Sequence, residues 1–234
     1  MDENNYLVES FGNSIGADIA EFTGEALEFT LDICVGEDGI FKDIIPFVGI
    51  ALKFCNISSK VHEKHSFYKL IAFIKAFNAG TDDPEELEKR KKKFLSNAKF
   101  RKRELEYILI LIDRYISFDK PQMLAKLYLA YLNGEIIWEE FTMYAEVIDR
   151  FLLLDCRTLI SDVTTFHTMR DSGSDVILRL VALGLLVEDR TITFTEAKKI
   201  IKGEIKSASR MRSDSKKKTY ERTDFGRKLA NILR

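Results

Sequence analysis

Residues 172–234 of this 234-residue chain carry a pattern that admits few folds. An almost wholly apolar run at 175–183 (DVILRLVAL) stops at Gly184 and passes into Leu185, Leu186 and Val187. After an interruption come Thr219, Tyr220, Glu221 and Arg222, then Thr223-Asp224-Phe225-Gly226 leading into residues 227–233. Glycine ends helices because it enters the left-handed region without a Cβ clash, and threonine starts them by accepting a first-turn N–H. The stretch therefore predicts a helix, an extended segment, an insertion, a second extended segment and a helix capped by Thr223. Within the insertion, 191–194 reads as a short strand, 196–205 as an amphipathic helix and 210–218 (RMRSDSKKK) as a basic loop.

Upstream, the periodicity is helical. Phe11, Ile15, Ile19, Phe22, Ala26, Phe29 and Ile33 recur every three or four residues, which predicts one long helix from about residue 6 to 33 with a seam close to a heptad. That seam serves a dimer and an intrachain bundle equally well, so a homo-oligomer stays open. An acidic row, Asp18, Glu21, Glu25, Glu28 and Asp32, runs beside it. Carboxylate metal sites in bundles also use a Glu-x-x-His pair, and no histidine lies here, so the row is read as a solvated or partner-facing acidic face. Gly12 and Gly16 form a GxxxG spacing that lets another helix approach.

Glycines at 36 and 39 break the pattern, and the apolar stretch 40–57 follows, with Pro46 placed for a first helical turn or a kink. Its longest apolar run, 44–52, is about half of the ~20 residues that span a bilayer. It is read as a central core helix, with a conditionally inserting hairpin as the alternative; Lys42, Asp43 and Lys53 oppose deep insertion.

Residues 61–78 form the next expected helix, with Leu70, Phe73, Ile74 and Phe77 inward and a stop at Gly80. Its HEKH sequence, with His62 and His65, is one residue short of the HExxH zinc motif and reads as a surface pair. Asp82, Asp83 and Pro84 then open a helix whose continuation is densely basic: Lys89, Arg90, Lys91, Lys92, Lys93, Lys99, Arg101, Lys102 and Arg103. Acidic neighbours at Glu85, Glu86, Glu88, Glu104 and Glu106 make a solvated face the first reading and phosphate-backbone contact the second. Further helices are expected at 103–116, 119–131 (stopped by Asn133-Gly134) and 137–154.

Seventeen Phe against three Pro and twelve Gly suit helices better than a turn-rich β-fold. The expected architecture is mainly α: an antiparallel helical bundle over 1–171, a linker at 171–174, and a small α+β module over 172–234 with a basic insertion. Net charge is −1, but residues 1–43 hold eleven acids against one lysine (−10) and residues 198–234 hold thirteen bases against four acids (+9). Such segregated ends attract one another or charged partners, within reach of salt screening. Three scattered cysteines, Cys34, Cys55 and Cys156, and an acidic, polar first ten residues point to a cytoplasmic protein. A glycine-rich phosphate loop, a Gly-x-Ser-x-Gly elbow and a Cys-His pairing are all missing, so no catalytic residue, metal or cofactor is assigned.

The segments LVALGLLVED and TYERTDFGRKLANIL resemble the second half of a bacterial winged-helix module, in which a Leu-Gly-Leu turn leads into a wing hairpin and a Thr-x-x-Gly cap starts the last helix. A recognition helix needs polar side chains for base edges, and 175–183 offers only Asp175 and Arg179. Nucleic-acid or partner contact is therefore assigned to the basic wing, Arg210, Arg212, Lys216, Lys217, Lys218 and Arg222, and to the patch Lys91, Lys92, Lys93, Arg101, Lys102 and Arg103. Together with the acidic N-terminal helix and the Pro-Phe-Val-Gly core helix, this ending resembles helical bacterial proteins of phage defence, of the abortive-infection alpha kind. The resemblance implies a non-enzymatic protein that acts by binding a protein partner. The alternatives are a nucleic-acid-binding regulator and, third, a membrane-disrupting effector acting through 44–52.

Overall fold

A computed structural model describes residues 3–16, 46–54, 60–80, 83–168, 174–189 and 218–234. The chain divides into two compact units, Met1–Asp149 and Arg150–Arg234. The described residues form ten helices and one three-stranded antiparallel sheet. The first unit holds α1 (Glu3–Ser14), α2 (Pro46–Phe54), α3 (Lys60–Asn78), α4 (Pro84–Leu95), α5 (Ala98–Arg114), α6 (Asp119–Asn133) and nearly all of α7 (Trp138–Arg150).

The core of this unit is organised by Phe11. Its buried ring lies 4.9 Å from Phe47, 5.0 Å from Phe94, 5.1 Å from Phe77 and 6.0 Å from Phe73, so one α1 side chain joins α2, α3 and α4. Tilted and edge-on arrangements of this kind are the favoured aromatic geometries. Gly12, next in sequence, makes the close approach possible: a Cβ there would sit 2.8 Å from Leu95 Cδ2. The GxxxG spacing thus serves a helix of the same unit. Phe47, Val48 and Ala51 are buried in this core, and Pro46 occupies the first position of α2.

The expected continuous helix over 6–33 is corrected: α1 ends at Ser14. Gly16 follows at φ +78°, a left-handed residue that stops the helix, and Asn78 Nδ2 donates to the freed Ser14 carbonyl at 2.9 Å. The rest of that seam, the acidic row Asp18, Glu21, Glu25, Glu28 and Asp32, and the linker at 171–173 lie outside the described residues. So do the strand and helix expected at 191–205.

The single helix expected over 137–154 is also corrected. It breaks after Arg150, because Leu152 N donates to Asp155 Oδ2 (3.0 Å) and opens a new helix, α8 (Leu153–Ile160). This helix belongs to the second unit, with β1 (Thr165–Thr168), α9 (Ser174–Ala182), β2 (Leu186–Glu188), β3 (Lys218–Arg222) and α10 (Asp224–Leu233). Strand order is β1-β3-β2, with Phe166 opposite Tyr220 and Val187 opposite Glu221. Because β1 completes this sheet, the division falls at 149/150, ahead of the expected 171/172.

The cap at Thr223 forms as expected. Its Oγ1 accepts from Gly226 N at 2.9 Å and donates to the Gly184 carbonyl at 2.8 Å, so one hydroxyl starts α10 and holds the turn that ends α9. Gly226 has no room for a side chain, since a Cβ would overlap the Leu185 carbonyl oxygen.

Candidate functional site

The basic patch of the first unit separates into inward and outward residues. Lys92, Lys93 and Arg103 are exposed and Lys91 is half-buried; Lys89 and Lys99, also exposed, continue the same surface. Lys92 meets Glu88 at 3.8 Å and Lys102 meets Glu106 at 3.7 Å, i,i+4 pairs that add little at a wet surface. Arg90 turns inward, donating to the Phe77 carbonyl at 2.5 Å with its guanidinium 5.9 Å from the Phe77 ring.

Arg101 leaves the patch altogether. It donates to Glu104 Oε2 (2.5 Å) and lies against the rings of Phe94 and Tyr131. Glu104, only 5 % exposed, also accepts Tyr128 Oη and Tyr131 Oη at 2.8 Å each. Burial first, and Glu104 second, push the Tyr128 hydroxyl well above its ordinary value, so it stays a donor. With three donors around it, this buried carboxylate is a structural node linking α5 to α6.

In the second unit, Lys218 lies 3.4 Å from Glu188 on the neighbouring strand. Arg222 is taken into the fold: it donates to the carbonyls of Leu159 (2.8 Å) and Ser161 (2.5 Å) at the end of α8 and stacks over Phe166 at 5.0 Å. Those bonds satisfy carbonyls that a helix end leaves open. Arg179 is likewise engaged, donating to both oxygens of Asp155 at 2.7–3.1 Å. Arg101 and Arg222 therefore drop out of the candidate contact surface. Arg210, Arg212, Lys216 and Lys217 lie outside the described residues.

One constellation escaped sequence reasoning. His62, Lys69 and His65 share a face of α3 and converge on the C-terminal end of α5. His62 Nε2 lies 3.2 Å from Asp113 Oδ1, and His65 Nε2 lies 3.1 Å from the Ile116 carbonyl. Lys69, 1 % exposed, donates to the carbonyls of Asp113 (2.8 Å) and Tyr115 (3.0 Å). Lys120 Nζ stands 5.5 Å over the Tyr115 ring and donates to the Asp149 carbonyl. Cations at a helix C-terminus satisfy its open carbonyls and suit its negative dipole end. The 3–4 spacing of 62, 65 and 69 was the available signal, but nothing local tells which helix they meet.

Among the described residues, no group of three His, Cys, Asp or Glu side chains is placed to hold a metal ion. Nor, among them, is any helix long and apolar enough to cross a membrane. No known protein family, curated protein or solved structure matches the chain.

Proposed function

We propose that this chain is a non-enzymatic bacterial defence protein of the abortive-infection type, acting by binding a protein partner. The observation that carries the reading is what the ionisable groups inside the fold do. Glu104, Asp155, Lys69, Arg101 and Arg222 are each engaged by helix ends or ion pairs, whereas Lys89, Lys92, Lys93, Lys99 and Arg103 stand outward on α4 and α5. A protein built this way offers charged surfaces for association. The role in defence rests on the resemblance of its two ends to that kind of protein.

The test is a phage-challenge assay in bacteria, run beside partner capture, with the full chain and with Lys216, Lys217 and Lys218 changed to Glu. Loss of protection and of capture is expected. Unchanged behaviour in both sinks the reading.

A second reading, a winged-helix nucleic-acid binder, draws on the sheet. A helix, α9, precedes the β2–β3 ladder; a basic connection joins its strands, and a capped helix follows. Arg179, already bonded to Asp155, is a poor reader of base edges, so this reading predicts backbone contact with little sequence preference. Anisotropy of a labelled duplex, titrated at low and physiological salt, separates the two: salt-steep binding favours this second reading.

A further inference from the structure

Helix α3 buries Leu70, Phe73, Ile74 and Phe77 in the core, yet it carries a second stripe at 68, 71, 72, 75 and 76. That spacing, i, i+3, i+4, i+7 and i+8, is the signature of a helix face that packs against something. With Phe118 and Gln122 at the start of α6, the stripe lines a largely apolar groove of about 270 Å³. Tyr68 and Phe118 form one end, their rings edge-to-face at 5.8 Å, and His65 lies 4.8 Å behind Phe118. Ala72 and Ala76 lie one helical turn apart in the lining, where their small side chains let another backbone come close.

The size of the groove bears on its occupant. Small-molecule sites run to roughly 300–1,000 Å³, so this one is better matched to an anchoring side chain than to a whole ligand. Charge narrows the choice further. Lys75 is the charged residue of the lining, and Lys64 and Lys126 stand half-buried one turn beyond Tyr68 and Gln122 on the two walls. Asp119, beside Phe118, accepts from Ser117 Oγ at 3.0 Å. The rim is thus net cationic around an apolar floor.

We propose that this groove docks an acidic amphipathic helix of a protein partner, its apolar anchor seated beside Tyr68 and Phe118 over the alanines and its carboxylates facing Lys75, Lys64 and Lys126. Helix-in-groove recognition works through anchors at i and i+4, and the rim charge selects which amphipathic helices enter. The inference rests on the partner-binding reading above and gives that partner a chemistry.

The probe is a library of helix-forming peptides with Leu or Phe at i and i+4 and flanking positions randomised between Glu and Lys, selected on the full chain. Glu-flanked members should be enriched, and anisotropy should show them binding about tenfold more weakly to Lys75→Glu, which prefers Lys-flanked members. Ala76→Trp, which fills the groove, should abolish the enrichment; circular dichroism checks that it folds, and the rim variant Lys75→Glu carries the test if it does not. Selection indifferent to flank charge, or unchanged in both variants, overturns the proposal. A dimer of the wild type that Ala76→Trp dissolves also overturns it, by giving the groove to a second copy. Reversing the outward charges at Lys92, Lys93 and Arg103 should leave this selection intact, so failure of the groove and failure of the partner-binding reading are told apart.

Discussion

The guanidinium of Arg179 grips the fully buried carboxylate of Asp155 through three hydrogen bonds of 2.7–3.1 Å, tying α9 to α8. The same carboxylate accepts Leu152 N, so the group that starts α8 also fixes α9. Removing Arg179 strands a buried charge on the Leu152 cap, a worse state than removing both partners. Arg179→Met should therefore lower the melting temperature more than the double variant Arg179→Met/Asp155→Leu lowers it beyond the cap's own share, about 1 kcal/mol. A double-mutant cycle followed by thermal melts measures the difference; strictly additive losses would count against the pair.

Two glycines should respond unequally to one added methyl group. At Gly12 the new Cβ meets the tip of the Leu95 side chain, which can turn aside, whereas at Gly226 it meets the Leu185 backbone. Gly226→Ala is expected to cost about 2–3 kcal/mol and Gly12→Ala about 1 kcal/mol, read from denaturant midpoints.

His65 gives the first unit a pH dependence with a definite sign. Burial first, then the charge of Lys69, hold its pKa below the ordinary 6.5, opposed by the Ile116 carbonyl. A lowered folded value means that the unfolded chain takes up the proton first, so the contribution is complete above 6.5 and declines as the pH falls below it. Melting temperatures at about pH 7.5 and about pH 5.5 should differ, and His65→Gln should narrow the gap. An equal gap in the variant refutes the assignment.

The outward bases of α4 and α5 make a prediction for any polyanion the chain binds. Changing Lys92, Lys93 and Arg103 to Glu should flatten the dependence of log affinity on log salt, by roughly 0.9 for each phosphate of duplex DNA that is no longer neutralised. Arg101→Gln should instead unfold the Glu104 node, because it removes a donor from a buried carboxylate, and a thermal melt distinguishes the two outcomes.

Much of the helical content was legible because it is written locally. Gly80, Gly134 and Gly184 all adopt positive φ where sequence placed the stops, and Asp83 and Thr223 cap as expected. The misses share a different cause. The break after Arg150 hides in the apolar run 151–154, since it depends on what one side chain, Asp155, bonds. Strand β1 is four residues long and pairs with residues more than fifty positions away, so local propensity says little about it. Arg101 and Arg222 look like surface cations in sequence; only the tertiary fold supplies the carboxylate, carbonyls and rings that draw them in. The groove on α3 was invisible for the same reason, its other wall coming from Phe118 and Gln122.

The β2–β3 ladder closes at its open end with Asp189 N donating to the Thr219 carbonyl at 2.8 Å. The sheet is thus complete without anything from residues 190–217, whose two ends it already brings together. Lengthening such a connection costs little, about 0.6 kcal/mol for each doubling. Residues 190–217 are thereby free to diverge in length and charge on their own schedule, which makes this the natural place to exchange specificity while the scaffold stands still.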